Sequence, residues 1–454
     1  MSAVRFAELL GQRVAVWGYG REGRAALRTL VSHLPQQPLT LWCAADEADA
    51  ARAEHPEVQV LTQAPDAMGL AGFDWVVKSP GISAYRPEIL AAQAQGTRFT
   101  SGTALWFGAR SRARVAAVTG TKGKSTTSAM LAHLARALGW RTALAGNIGL
   151  PLLDLLGEEA ALWVVELSSF QTGETGPLEL ALVTNLYEEH LDWHGSVERY
   201  HADKLRMATM ARTLLVDAEQ MAVCAGTATH PRRRLFGNGS GWHADDAGIQ
   251  RGAERVLPRA ALPLPGAHNA RNACAALAAL ELLGGDAVAA APALMHFRGL
   301  PHRLQWLGEL AGVGWVDDSI STTPAAVREA VLSLAGKPLL LILGGHDRGV
   351  DWQPFAAWLA GRSGVRVIVQ GAAAARIAAT LHDAGMRDVQ QVDDVQAATR
   401  LAYTLALPGA VVLLSPGAPS FDQFRDYAER GRAFARLAGF DTAAIGEIAG
   451  MGIA

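Results

Sequence analysis

The sequence predicts an α/β protein of three domains. Three observations support that class. A length of 454 residues leaves room for about three domains. Short apolar runs alternate with helical patterns from end to end, the order that builds mostly parallel sheets covered by helices. Many of these runs close on loops rich in Gly, Ser, Asn or Asp, and loops at the carboxyl ends of strands are where open α/β sheets hold ligands. The divisions are placed at 1–103, 104–301 and 302–454.

Half of the residues are apolar and 19% are charged, ordinary for a chain with sizeable cores. A net charge of −2 supplies no general attraction to nucleic acid or to a membrane surface. Cys43, Cys224 and Cys274 are odd in number and far apart, so no disulfide framework or zinc pattern follows. The opening MSAVRFAELLGQRVAVWG lacks the basic, apolar and small-residue order of a leader, and no apolar run approaches ~18 residues. A cytoplasmic monomer is expected, with neither nucleic acid nor a membrane as partner.

In the first domain, Arg13–Trp17 reads as a strand, followed by Gly18-Tyr19-Gly20-Arg21-Glu22-Gly23 and a helix to about Ser32. This is G-x-G-x-x-G in the strand–loop–helix setting that lets backbone approach a phosphate. The next strand, Pro38–Trp42, ends at Cys43 without the acid that holds a ribose in a dinucleotide site, and Asp46 comes several residues late. A phosphorylated ligand other than NAD is favoured, with an NAD-dependent oxidoreductase as an alternative. Phe73–Val77 ends in Lys78-Ser79-Pro80-Gly81, a ligand loop or a plain turn. Trp106-Phe107 and the Arg-rich stretch 109–114 read as a linker.

The central domain is organised around Val115–Thr127, VAAVTGTKGKSTT. A buried strand breaks at Gly120, and a helix begins near Ser125. Between them, Gly120-Thr121-Lys122-Gly123-Lys124-Ser125 can turn backbone N–H groups around an anion at a helix N-terminus. Lys124 can reach terminal phosphates, and the Ser125 or Thr126 hydroxyl can face a magnesium ion. Val118 stands where the full phosphate-loop pattern has its first glycine, so a Gly-rich turn with a surface lysine is the plainer reading. Three further strands end nearby in sequence logic: Thr142–Ala145 before Gly146-Asn147-Ile148-Gly149, Trp163–Leu167 carrying Glu166, and Ala181–Leu186 before Tyr187–His194. Acids and imidazoles gathered at strand ends beside a phosphate loop suit metal and substrate contact. A helix over 197–208 carries Lys204, and the stretch from Pro265 to Asn269 leads an Ala-rich helix to Leu283. The region 215–262 reads as short strands and loops without chemistry.

In the last domain, strands at 337–343, 365–369, 389–392 and 410–414 continue the alternation. Their loops include Asp318-Ser319, Gly344–Gly349 and Ser415–Asp422. Neither a serine nucleophile elbow nor a Cys/His cluster is present, which argues against a hydrolase or zinc enzyme.

In this order the residues resemble one family along nearly the whole chain, the ATP-dependent Mur ligases of peptidoglycan synthesis, and within it the glutamate-adding, MurD-type branch. The matching stretches are Thr119–Ser125, Gly146–Gly149, Glu166–Gln171 and Thr184-Asn185 through His190-Leu-Asp192. They continue with His268-Asn269, Gly299–Arg303, Asp318-Ser319 and Ser420 through Arg430-Gly431. The resemblance implies a Rossmann-like N-terminal domain for a UDP-linked substrate, a central P-loop ATPase domain with a mostly parallel sheet, and a Rossmann-like C-terminal domain for the amino acid. It implies UDP-N-acetylmuramoyl-L-alanine and glutamate as substrates, with ATP and two Mg2+ ions. Lys124, Glu166, His190 and Lys204 are implied as catalytic, and Ser125, Glu166, His190 and Lys204 as facing the metals. Lys204 stands where the family carries a carbamylated lysine. Gly120, Thr121, Lys122, Gly123, Lys124, Ser125 and Thr126, together with Asn269, Asn272, Arg303 and Asp318, fall at nucleotide contacts. Gly18, Tyr19, Gly20, Arg21, Ser79, Gly81 and Asn147 fall on the UDP-sugar side.

Two departures from the family pattern stand out. The acid and arginine expected around the uracil are not evident near Cys43. The D-glutamate ligases also carry Asp-Ser-Lys-Ala-Thr-Asn, whose lysine pairs with the incoming carboxylate, whereas this chain reads Asp318-Ser-Ile320-Ser-Thr-Thr-Pro324. Losing a charge-assisted bond costs ~1.5–3 kcal/mol. Thr322, Thr323, Arg348, Ser420 and Tyr427 are positions that could hold the amino acid instead. The chain resembles the branch of Xanthomonas-like bacteria that adds L-glutamate and leaves inversion to a separate epimerase. L-glutamate is therefore expected, D-glutamate is the alternative, and a folylpolyglutamate synthetase-like ligase is a remoter one.

Overall fold

The apolar runs become three parallel-rich sheets, in a computed structural model that describes residues 3–264, 266–442, 445, 448 and 450–454. Pro265 lies outside the described residues. The first sheet is wholly parallel, with the order Gln59–Leu61, Leu39–Trp42, Val14–Trp17, Trp75–Lys78, Arg98–Thr100. Chain order reverses on either side of Val14–Trp17, so the loops after it and after Trp75–Lys78 open at a topological switch point.

The central sheet runs Arg233–Phe236, Ala211–Asp217, Leu178–Val183, Val115–Thr119, Leu162–Glu166, Thr142–Gly146, Gly452–Ile453. All neighbours are parallel except the last pair. Val115–Thr119 is buried along its whole length, as expected of a continuous apolar run covered on both faces. A small antiparallel sheet, Trp242–Ala244, Gly248–Arg251 and Glu254–Pro258, lies beyond it in the chain. The last sheet orders Gln305–Leu310, Val313–Asp317, Val411–Leu414, Leu339–Gly344, Val365–Gln370, Val389–Gln391, with only the first pair antiparallel.

The chain forms two compact units: 1–262 with 270–296 and 450–454, and 263–269 with 297–449. Within the first unit one apolar core runs from Val14, Val16 and Trp75 through Trp106 to Val115 and Val183. Trp106 and Phe107 therefore belong to a buried helix, Gly102–Ala109, rather than to a linker. Ser101 caps it by accepting from the Ala104 N–H at 3.2 Å. The neighbouring arginines masked an apolar stretch whose residues from Gly102 to Phe107 are all buried. The helix expected over 197–208 ends at Leu205 and tightens into a 3-10 turn over Arg206–Met210.

Candidate functional site

Val115–Thr119 lies between Leu178–Val183 and Leu162–Glu166, so the loops that follow these three strands share one edge of the central sheet. Gly120 and Gly123 take φ values of 147° and 82°. A side chain at Gly120 would strike the Thr184 hydroxyl, and one at Gly123 would stand 2.5 Å from Asn272 Oδ1. Glycine is required at both positions. Asn185 then fixes the loop: its carbonyl accepts from Thr121 N at 2.9 Å, and its Oδ1 accepts from Lys122 N at 2.7 Å. Lys124 opens the helix Lys124–Ala137 and donates to Thr121 O at 3.0 Å. Ser125 and Thr126 follow in the first turn, where helix N–H groups favour an anion.

Glu166, 1% exposed, ends its strand facing the loop that contains Asn147. Asn147 Nδ2 donates to Glu166 Oε1 at 2.8 Å, while Oε2 is buried without a hydrogen-bond partner. A carboxylate oxygen left without a partner in the interior is costly unless a cation meets it. Lys204, 2% exposed, donates to Gly120 O at 2.8 Å. Burial, assisted by the Lys124 charge, brings its amine down to about 6. At neutral pH Lys204 is thus mostly the uncharged, nucleophilic amine. His190 adopts a left-handed conformation with φ 55°. Burial holds its imidazole below the usual range against the opposing pull of Glu189, which favours the neutral, metal-ligating form. Among the described residues no three His, Cys, Asp or Glu side chains gather as a metal cluster. Mg2+ does not require one, since it commonly takes one or two carboxylates with phosphates and water. Glu166 fits that demand.

At the switch point of the first sheet, Ser79 N donates to Trp17 O at 2.9 Å and the Ser79 hydroxyl lies 3.4 Å from Gly18 O. The loops carrying Gly18–Arg21 and Ser79–Gly81 are therefore together. Arg21 reaches across to Gly149 O at 3.0 Å, beside Asn147. Tyr19 turns inward instead. Its hydroxyl donates to Glu54 at 2.5 Å beneath Arg24, so a substrate contact there would come from its backbone.

Glu22 sits next to these residues, and burial together with Glu174 and Asp154 pushes its carboxyl up from 4.5 to about 7. Between those values the folded state holds a proton that the unfolded state has lost, so this group's contribution to stability falls as pH rises through 7. Glu22→Gln removes the titration. Its melting temperature will exceed that of the parent chain at pH 8, by about 1–2 °C for each kcal/mol recovered, and the gain will shrink towards pH 5. A gain equal at both pH values would assign it to packing.

In the second compact unit, Val313–Asp317, Val411–Leu414 and Leu339–Gly344 are adjacent, and their loops bring 318–323, 415–420 and 345–349 to one edge. Gly417 N donates to Ser321 O at 2.9 Å and His346 N to Pro419 O at 2.8 Å. Asp318 is buried and accepts from Ser415 Oγ at 2.7 Å and from Leu304 N, next to Arg303, at 3.1 Å. Burial raises its carboxyl to about 6. Arg348, exposed, shares a small cavity with His346 and Pro419. The buried Ser420 hydroxyl has no hydrogen-bond partner. Thr323 caps the helix Pro324–Ser333, Thr322 and Tyr427 are part-exposed or exposed, and Asn269 is buried. Arg430, which the sequence marks as part of a family-matching stretch without a site role, is buried and donates to the Ser319 hydroxyl at 2.9 Å and to Ser319 O at 2.8 Å. It holds the loop in which Ile320 replaces lysine.

Residues 118–280 match the Mur ligase middle domain, and 302–417 match the Mur ligase glutamate ligase domain. A UDP-N-acetylmuramoyl-L-alanine–L-glutamate ligase of Xanthomonas campestris pv. campestris is 50% identical over 469 residues, covering 99% of this chain and 100% of that protein. The chain is a Mur ligase. A protein of the same name from a Micromonospora species is 38% identical and covers 95% of this Mur ligase and 97% of itself. The solved structure of the UDP-N-acetylmuramate-alanine ligase MurC from Thermotoga maritima is similar with a TM-score of 0.59 at 21% identity, covering 94% of this chain and 98% of that one. The MurF ligase of Thermotoga maritima, solved in complex with ADP, has a TM-score of 0.55 at 15% identity, covering 96% of each chain. At those identities the two structures establish the three-domain Mur ligase fold.

Proposed function

We propose that this Mur ligase uses ATP to join L-glutamate, through its amine, to the carboxylate of UDP-N-acetylmuramoyl-L-alanine, giving ADP and phosphate. The observation that carries this reading is the meeting of the phosphate loop, the partnerless Glu166 Oε2 and the neutral Lys204 on one sheet edge. The full-length likeness to ligases of that name supports the choice of substrates. Residues 1–103 take the UDP-linked acceptor, 104–301 the ATP and 302–454 the amino acid. A cytoplasmic monomer fits the substrates.

A carboxylate is a poor electrophile, because its leaving group would be oxide. Transfer of the γ-phosphoryl of ATP to the acceptor carboxylate makes a mixed anhydride and releases ADP. The glutamate amine adds to its carbonyl, and the tetrahedral adduct collapses with loss of phosphate and a proton. Lys124 and the helix N-terminus behind it stabilise negative charge on the transferring phosphoryl group. Glu166, His190, Ser125 and a carbamylated Lys204 would hold two Mg2+ ions, which would supply charge neutralisation at the phosphates. Asn269, Asn272, Arg303 and Asp318 hold the nucleotide. Gly18–Arg21, Ser79, Gly81 and Asn147 hold the UDP-sugar.

The relatives' names and the Ile320 replacement both support the L enantiomer. Without a lysine at 320, Thr322, Arg348, Ser420 and Tyr427 anchor the amino acid, and a relocated carboxylate contact selects a different hand at the α-carbon. The product then needs inversion by a separate epimerase. Phosphate release with ATP, Mg2+ and the acceptor tests this, run in parallel with L- and D-glutamate. L-glutamate will be favoured by at least about tenfold in kcat/KM, the equivalent of 1.4 kcal/mol. Preference for D-glutamate would leave the ligase chemistry and overturn the enantiomer. Turnover with neither would overturn the choice of amino acid.

A further inference from the structure

One dipeptide, Trp193-His194, touches both the acceptor-side loop and the segments that carry Glu166 and Lys204. It lies in the single helical turn Leu191–His194 that follows His190. On one side, Trp193 Nε1 donates to Pro80 O at 3.1 Å, between Ser79 and Gly81, and Trp193 O accepts from the Ser83 hydroxyl at 2.6 Å. Its ring stacks on Phe170 at 4.7 Å. On the other side, His194 is fully buried. Its Nδ1 lies 2.7 Å from Asp203 Oδ2 and its Nε2 2.9 Å from Ser169 Oγ. Asp203 precedes Lys204, and Ser169 comes three residues after Glu166. Asp203 also accepts from the Tyr85 hydroxyl at 2.8 Å, a second tie from the acceptor-side segment.

We infer that Trp193 and His194 are positioning residues that hold the Ser79–Gly81 loop in register with the Glu166–Lys204 centre. This rests on the proposed ligase reading. Every polar atom of the pair has a partner, and satisfied buried networks define one arrangement rather than several. Ser169, His194 and Asp203 stand in the order of a nucleophile relay, yet the Ser169 hydroxyl is buried and bonded, so the relay fixes geometry. Phosphoryl transfer between two bound substrates is sensitive to such register, since a misplacement of about 1 Å costs about 100-fold.

Trp193→Phe keeps a ring on Phe170 and loses only the indole donor. It will raise KM for the UDP-linked acceptor by about two- to twelvefold, the value of one neutral hydrogen bond, with KM for ATP and kcat within about twofold. His194→Ala will lower kcat by about 100-fold with both KM values nearly unchanged. His194→Gln, which can still donate and accept, will recover part of that loss. Amide hydrogen exchange reads the same split without turnover. Trp193→Phe will speed exchange over 79–85 and leave 124–137 unchanged, whereas His194→Ala will speed 168–171 and 197–205. Parallel loss of kcat and KM in both variants, or exchange that rises uniformly or stays unchanged, overturns the inference. A parent chain inactive with the acceptor would overturn the ligase reading, and the exchange pattern would still decide the register role.

Discussion

Glu166→Gln will lower kcat for ligation by about 1,000-fold, the several kcal/mol expected when a metal-facing charge is lost. The replacement is nearly isosteric, and Gln can still accept the bond that Asn147 Nδ2 now gives to Oε1 at 2.8 Å. What changes is the other end. The buried, partnerless Oε2 becomes an amide that offers hydrogens where a cation needs lone pairs. The fold should be preserved, because the strand Leu162–Glu166 is held by parallel pairing on both sides. Phosphate release with saturating substrates, beside a melting curve, checks this. Activity within tenfold of the parent would reduce Glu166 to a partner for Asn147.

The strand–turn–helix at Gly120–Ser125 is legible because its residues are contiguous. Gly120 and Gly123 are fixed by local turn geometry, and the strand before them is a short apolar run that burial on two faces demands. The alternation of such runs with helices is enough to foresee parallel sheets, and their carboxyl-end loops mark the edges where Glu166, His190 and Thr322 now lie. Partners drawn from separate segments were not legible. Nothing near Lys204 in sequence indicates that its amine would lie under Gly120, and burial depth, which sets its protonation, is a property of the packed unit. The same applies to Asp203, whose carboxylate meets Tyr85 and His194 only after three segments have folded.

Other misses follow from length and context. Gly452–Ile453 pairs antiparallel with Thr142–Gly146, and a two-residue strand has no periodicity to detect. Arginines close behind Trp106-Phe107 give the stretch a linker's composition, although the eight-residue helix over Gly102–Ala109 is largely buried. Tyr19 stands inside a phosphate-binding pattern, yet its ring packs inward, where its hydroxyl meets the Glu54 carboxylate 35 positions away. The pattern fixes the backbone there and leaves the side chain to tertiary partners.

Lys204→Arg separates two roles that a deletion would confuse. A cation needed near the phosphates would survive the change in part, because the guanidinium stays charged at any working pH. The proposed role is the opposite. With its pKa near 6, Lys204 presents a neutral amine that can add carbon dioxide and become a carboxylate-like carbamate facing a metal. Arginine cannot supply that neutral amine. Lys204→Arg will therefore be as inactive as Lys204→Met, each about 1,000-fold below the parent in kcat. Depleting carbon dioxide will slow the parent chain and leave both variants unchanged. Isotopically labelled bicarbonate will show a carbamate resonance in the parent that both variants lack. The energetics point the same way: burial disfavours the ammonium form, so the folded state keeps beneath Gly120 the neutral amine that carbon dioxide requires. Arginine activity within tenfold of the parent would instead make residue 204 a phosphate-side cation, and the second metal would need another ligand.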